Sequence, residues 1–230
     1  MRDLSSSTQS HIEQIRIRGL VQGVGFRPTV WQLAKQFGIN GEVRNDGSGV
    51  LIIAQSNPEQ INRLLQQLQS HPPALARIDS IQRETLDVNI HFQEFSILHS
   101  LQSEVHTGIV ADAATCPECL QDISDPSNRR YQYAFTNCTH CGPRLSIIRD
   151  IPYDRACTSM NAFELCPTCR AEYENPADRR FHAQPNACPD CGPQLWIEDN
   201  KGHKIPSEHP LDSTAELIRQ GYIVAIKGIG

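Results

Sequence analysis

The sequence predicts an α+β protein: one sheet-and-helix unit over residues 11–100, then an irregular, duplicated region over 101–210. Three observations carry this. Strand and helix periodicities alternate through the first hundred residues in the order βαββαβ, a split βαβ arrangement of the ferredoxin-like kind. Eight of the nine cysteines then fall into a pattern that repeats every 50 residues. Between these cysteines regular periodicity gives way to Pro, Asn, Asp and aromatic residues, a composition unable to build a large apolar core.

In the first unit, Ile15 and Ile17 alternate with Arg16 and Arg18, the period of a half-buried strand. A glycine-rich connection follows. Pro28 is expected to open a helix with Val30, Leu33, Ala34 and Phe37 on one face, and Gly38 to close it. Strands are expected around 42–45 and 50–55, joined by the hairpin residues Asp46-Gly47-Ser48-Gly49. Asn57-Pro58 reads as an N-cap with proline at the first helical position. Ile61, Leu64, Leu65 and Leu68 form the stripe of that second helix, and His71-Pro72-Pro73 stops it. Strands near 76–83 and 92–98 complete the order.

Residues 1–10, rich in Ser, Thr and Gln, read as a disordered tail. Residues 211–230 turn regular again: Asp212 or Ser213 caps a short helix ended by Gly221, and 222–226 reads as a strand running into a glycine turn. That pattern is expected to begin a further domain. Residues 11–100 carry eight basic and eight acidic side chains, whereas 101–210 carry ten and fifteen, and the whole chain has a formal charge of −5. The excess of negative charge argues against nucleic acid as a partner. No stretch is apolar for long enough to span a membrane, and residues 1–14 lack the apolar core of a secretory signal. The expectation is a cytoplasmic protein.

In that compartment clustered cysteines read as metal ligands before disulfides. Cys116-x2-Cys119 and Cys138-x2-Cys141 recur as Cys166-x2-Cys169 and Cys188-x2-Cys191. Pro117, Pro126, Arg129-Arg130, Gly142-Pro143, Leu145 and Ile147 recur with them 50 residues on, so the region is a duplication spanning about 116–147 and 166–197. Two knuckles supply four thiolates to one tetrahedral ion, and four thiolates close the coordination sphere. Two structural Zn²⁺ ions are expected, with an iron–sulfur cluster as the rival and a redox pair behind it. Whether knuckles pair within a repeat or between repeats is open from sequence. Cys157, outside both quartets, reads as a small buried hydrophobe. His140 and His182 read as solvated or hydrogen-bonded, and the arginine pairs as partners of local acids or of a domain contact.

Gly23 and Gly25 free the loop before the first helix to curl its N–H groups inward, and the helix N-terminus adds donors. Arg27 offers a planar fork to phosphate or carboxylate. The bland reading is a tight connection. Asn45, before the hairpin turn, is able to hold a water by donating and accepting at once, or is simply a good turn residue. No nucleophile or general base is evident, which fits attack by a positioned water on a reactive phosphoryl compound.

The run Val21-Gln22-Gly23-Val24-Gly25-Phe26-Arg27 and the segment Gly41-Glu42-Val43-Arg44-Asn45 resemble the two signature segments of acylphosphatases. The resemblance implies that the backbone of Gln22, Gly23, Val24, Gly25, Phe26 and Arg27 cradles a phosphoryl group, that Arg27 binds it, and that Asn45 orients water. With the two cysteine repeats, Arg179-Arg180-Phe181-His182-Ala183-Gln184-Pro185 and the final Ala-Ile-Lys-Gly-Ile-Gly, the chain resembles the N-terminal part of the HypF family. These are the carbamoyltransferases of [NiFe]-hydrogenase maturation. The resemblance implies hydrolysis of carbamoyl phosphate, or another small acyl phosphate, to carbamate and phosphate. It also implies a YrdC-like adenylating domain beginning near 211, and transfer to a partner's C-terminal cysteine on the way to a cyanide ligand. Only about twenty residues follow the zinc region, so overall carbamoylation by this stretch alone is not expected. Cys157 stands where the family is expected to have Asn or Thr. The alternative is a non-catalytic, zinc-bound module for substrate docking or interaction.

Overall fold

The computed structural model describes residues 11–101, 108 and 110–227. Strands β1 (His11–Leu20), β2 (Asn40–Asp46), β3 (Gly49–Ser56), β4 (Arg77–Thr85) and β5 (Phe95–Ile97) form one sheet in the order β4-β1-β3-β2-β5. The first four are antiparallel neighbours, and β5 adds parallel to β2. Helices α1 (Phe26–Phe37) and α2 (Pro58–Ser70) pack on one face. This is the expected split βαβ order, with the last strand serving as a fifth at the far edge. The alternation in β1 holds: Ile15 and Ile17 are buried, and they join Val30, Ala34, Val43, Ile52, Ile61, Leu64 and Leu68 in one core.

Helix α1 starts two residues before Pro28, because Gly25 takes a left-handed conformation (φ 76°) and turns the chain into the helix at Phe26. Gly38 closes it, also left-handed at φ 65°. In α2 the Asn57 side chain accepts from Gln60 N at 2.9 Å, as its sequence position predicts. Asn57→Ala is expected to cost about 1 kcal/mol of stability, read as a lower midpoint with unchanged slope in urea unfolding.

The second region is built from short pieces. Helices α3 (Pro117–Ser124) and α4 (Pro167–Glu174) occupy matching places in the two repeats, each opened by a proline after the first cysteine of its quartet. Strands β6 (Ile197–Glu198) and β7 (Lys204–Ile205) make a small hairpin.

Helix α5 (Pro210–Arg219) starts earlier than expected. His209 occupies the N-cap position instead of Asp212 or Ser213, because Pro210 presets φ for the first turn. Residues 222–226 are not a strand: they join no ladder among the described residues, Tyr222 N donates back to Leu217 O at 3.0 Å, and Ile223 is fully exposed. An extended segment without a neighbour has no ladder to join. The tail expected over 1–10 and the glycine turn at 228–230 lie outside the described residues. No described helix is long and apolar enough to cross a membrane.

Candidate active site and metal centres

The loop between β1 and α1 carries Gly23 at φ 73° and Gly25 at φ 76°. Side chains there would be strained and also obstructed. A Cβ on Gly23 would lie 2.8 Å from Pro143 and 2.9 Å from the Tyr153 ring, and one on Gly25 would lie 3.2 Å from Thr139. The neighbours in each case come from the cysteine region, which therefore lies directly on the loop. Among the described residues no acceptor is bonded to the main-chain N–H groups of residues 22–27. A row of free donors meeting a helix N-terminus is suited to an anion.

Gly23, Gly25, Phe26, Arg27 and Asn45 line one small cavity of about 20 Å³. Gln22 and Val24 stand behind the wall. The Gln22 amide donates to Asp46 O at 2.7 Å and Gly49 O at 3.1 Å, bracing the hairpin against the loop. Val24 is part of the core. Asn45 is buried and its Oδ1 has no hydrogen-bond partner. Its own carbonyl accepts from Leu101 N at 3.0 Å, which brings Ser100 beside Arg27.

The roof of the cavity comes from the cysteine region: Thr139, Gly142, Tyr153 and the run His182 to Pro185. Sequence reasoning missed this. The arginines of the run Arg179 to Pro185 are expected to meet local acids or a domain contact, but nothing in the sequence puts His182 to Pro185 over the loop, and nothing local marks Tyr153 or Asp154. The His182 ring sits against Tyr173 and Phe181, with centroids 5.1 and 4.5 Å away. Burial, aided by the charge of Arg27, pushes its pKa down to about 4, so it is neutral at pH 7. Burial also raises the Tyr153 phenol, whose hydroxyl has no partner.

The structure gathers Cys116, Cys119, Cys138 and Cys141 into one cluster and Cys166, Cys169, Cys188 and Cys191 into another. Knuckles thus pair within each repeat. Sulfurs stand 3.5 Å apart for Cys116–Cys138 and 3.9 Å for Cys138–Cys141. In the second cluster they stand 3.8 Å apart for Cys166–Cys188 and Cys188–Cys191, and 3.6 Å for Cys169–Cys191. A tetrahedron with zinc–sulfur bonds of about 2.3 Å has edges of about 3.8 Å. The sulfurs are therefore already spaced for zinc. Neither histidine belongs to a quartet: His140 is exposed near Cys116 and Glu118, and His182 faces the cavity. Cys157 also lies outside both clusters, but it is partly exposed where a buried site was expected, in a single turn that leaves one side of it to solvent.

The arginine pairs are exchanged where the knuckles are not. Arg129 of the first repeat donates to Cys169 Sγ of the second at 2.9 Å, and Arg179 of the second donates to Cys119 Sγ of the first at 2.9 Å. Arg130 reaches Glu172 at 2.6 Å, while Arg180 and Arg179 both pair with Asp122. Burial raises the Glu172 carboxyl, but the hydrogen bonds and charge of Arg130, joined by Arg129, bring it down to about 2. Four thiolates on a divalent ion carry a net charge of −2, and each cluster meets a guanidinium supplied by the opposite repeat.

A split βαβ sheet with an N–H-lined loop, Arg27 and Asn45 in one cavity, and a duplicated cysteine region for its roof, define a finger-covered acylphosphatase-type domain. The acylphosphatase family matches residues 13–97, and the HypF finger family matches residues 115–148 and 165–198. The carbamoyltransferase HypF2 of Cupriavidus necator is 52% identical over 219 residues, covering 94% of this chain and 27% of its own length. The HypF carbamoyltransferase of Rhodobacter capsulatus is 49% identical, with 94% and 29% covered. An acylphosphatase of Mannheimia succiniciproducens is 38% identical over 88 residues, 38% of this chain and 97% of its own. The crystal structure of full-length HypF in its phosphate- and nucleotide-bound form superposes with a TM-score of 0.86 at 42% identity, covering 96% of this chain and 29% of that one. The chain belongs to the HypF family, with an acylphosphatase domain followed by two HypF fingers. It spans under a third of the length of the curated carbamoyltransferases it matches.

Proposed function

We propose that this chain hydrolyses an acyl phosphate at the loop–Arg27–Asn45 cavity, and that carbamoyl phosphate is the substrate, giving carbamate and phosphate. In the HypF family this is the opening step of a carbamoyl transfer serving [NiFe]-hydrogenase maturation. The acceptor would be a partner's C-terminal cysteine. The observation that carries the reading is the meeting of free main-chain donors, a buried guanidinium and a buried amide with an orphan oxygen in one hollow.

The chemistry follows from these groups. N–H donors of residues 23–27 and the Arg27 fork take the phosphoryl oxygens and stabilise the charge that builds on them. The Asn45 Oδ1 accepts from a water and aims its lone pair at phosphorus. The water oxygen bonds to phosphorus as the bond to the acyl oxygen breaks. The electron pair leaves with carbamate, and the water's proton goes to the phosphate itself. No separate base is needed. The eight cysteines would hold two Zn²⁺ ions, which supply rigidity to the roof and take no part in bond making.

Purified chain is expected to release phosphate from carbamoyl phosphate. Asn45→Ala is expected to lower kcat by about 10²-fold with KM nearly unmoved, because Asn45 holds water and not substrate. A change confined to KM would remove Asn45 from the assigned role. The alternative is a docking module, in which the same cavity takes the phosphoryl group without turning it over. Saturable binding of inorganic phosphate without any turnover would select docking over catalysis.

A further inference from the structure

Arg27 is tied to a residue of the finger region. Its guanidinium is 7% exposed, and Nη2 donates to Asp154 Oδ1 at 2.8 Å while Nη1 donates to Ser100 Oγ at 3.3 Å. Asp154 lies between the two cysteine repeats, far along the chain from the loop it meets. Its neighbours leave it little freedom. Tyr153 N donates to Gln22 Oε1 at 3.0 Å, so the preceding residue is pinned to the loop itself. The following residue, Arg155, donates from its main chain to Gln184 Oε1 at 2.7 Å. Its guanidinium donates to Gln184 O, Asn186 O and Phe163 O at 2.7, 2.9 and 2.7 Å. The carboxylate therefore reaches Arg27 from a frame held at both ends.

We propose that Asp154 is a positioning residue for acyl-phosphate hydrolysis: it holds the Arg27 fork in its working orientation and makes the finger region part of the active site. The proposal rests on the catalytic reading of Arg27 above. A guanidinium has five N–H donors. Asp154 and Ser100 take one each, which leaves three for phosphoryl oxygens. A long side chain with several rotors would otherwise spread over many orientations, and misplacement of a catalytic group by about 1 Å is enough to cost about 10²-fold in rate. A different role, with the carboxylate standing in for the phosphoryl group and blocking the cradle, would have cradle N–H groups donating to Asp154. The Asp154 carboxylate instead accepts from Arg27 Nη2 at 2.8 Å.

The test uses the full, metal-loaded chain with carbamoyl phosphate as substrate and inorganic phosphate as competitive inhibitor. Asp154→Ala is expected to lower kcat/KM by about 10- to 100-fold and to raise the inhibition constant of phosphate, with zinc content and circular dichroism unchanged. Asp154→Asn, which keeps an acceptor oxygen, is expected to restore rates to within about threefold. In an Arg27→Ala background Asp154→Ala is expected to add no further loss, since the residue acts only through Arg27. The proposal is overturned if Asp154→Ala is as active as the parent, if it binds phosphate more tightly, or if both variants fall together with loss of metal. Failure of the parent reading looks different: Arg27→Ala itself would stay active.

Discussion

Arg27→Ala is expected to reduce kcat/KM for carbamoyl phosphate by about 10²–10³-fold, the range seen when one preorganised donor to a developing oxyanion is removed. The loss should be large because the guanidinium is nearly fully buried, where an N–H donor is poorly replaced by water. Lysine should not restore the rate. Its point charge cannot hold Asp154, Ser100 and a phosphoryl group at once with fixed geometry. The fold should tolerate the change, since the abandoned Asp154 is 24% exposed and can be hydrated. Phosphate release measured across a substrate series decides the matter, and undiminished activity in the alanine variant would remove the cavity from consideration as the catalytic centre.

Chelation should have the second large effect. Structural zinc in finger peptides contributes about 10–16 kcal/mol of apparent binding free energy, which is also folding free energy. Residues 111–210 bury few apolar side chains apart from the cysteines and one small cluster around Tyr133, Ile147 and Met160. Two zinc ions per chain are expected by elemental analysis. Their removal should unfold this region, expose it to protease and leave residues 11–100 folded on their own core. Because Arg129 and Arg179 each serve the opposite cluster, loss of one ion should loosen the other, so both should leave in one transition. Hydrolysis should fall with them, since Tyr153 and Asp154 depart with the roof. Iron in place of zinc, a single ion, or a chain that keeps its roof without metal would contradict this.

Much of the fold was legible because its signals are local. Ile15 and Ile17 against Arg16 and Arg18, the stripe through Leu64 and Leu68, and the Asn57-Pro58 cap each report on a few neighbouring residues. The segment at 222–226 misled for the same reason: it has strand composition, but a strand exists only with a partner, and Ile223 has none among the described residues. The helix α1 boundary was misplaced because the αL turn at Gly25 outranked the preference of proline for the first helical position.

From sequence alone come the two halves of the molecule, the glycine loop with Arg27 and Asn45 as the candidate site, and the eight sulfurs, because loop chemistry and ligand spacing are written within a few dozen residues. Their relation is decided only in three dimensions. That knuckles pair within repeats while arginines cross between them, and that Asp154 meets Arg27 under a roof of finger residues, depends on long-range packing and charge neutralisation, which join groups with no sequence signature in common.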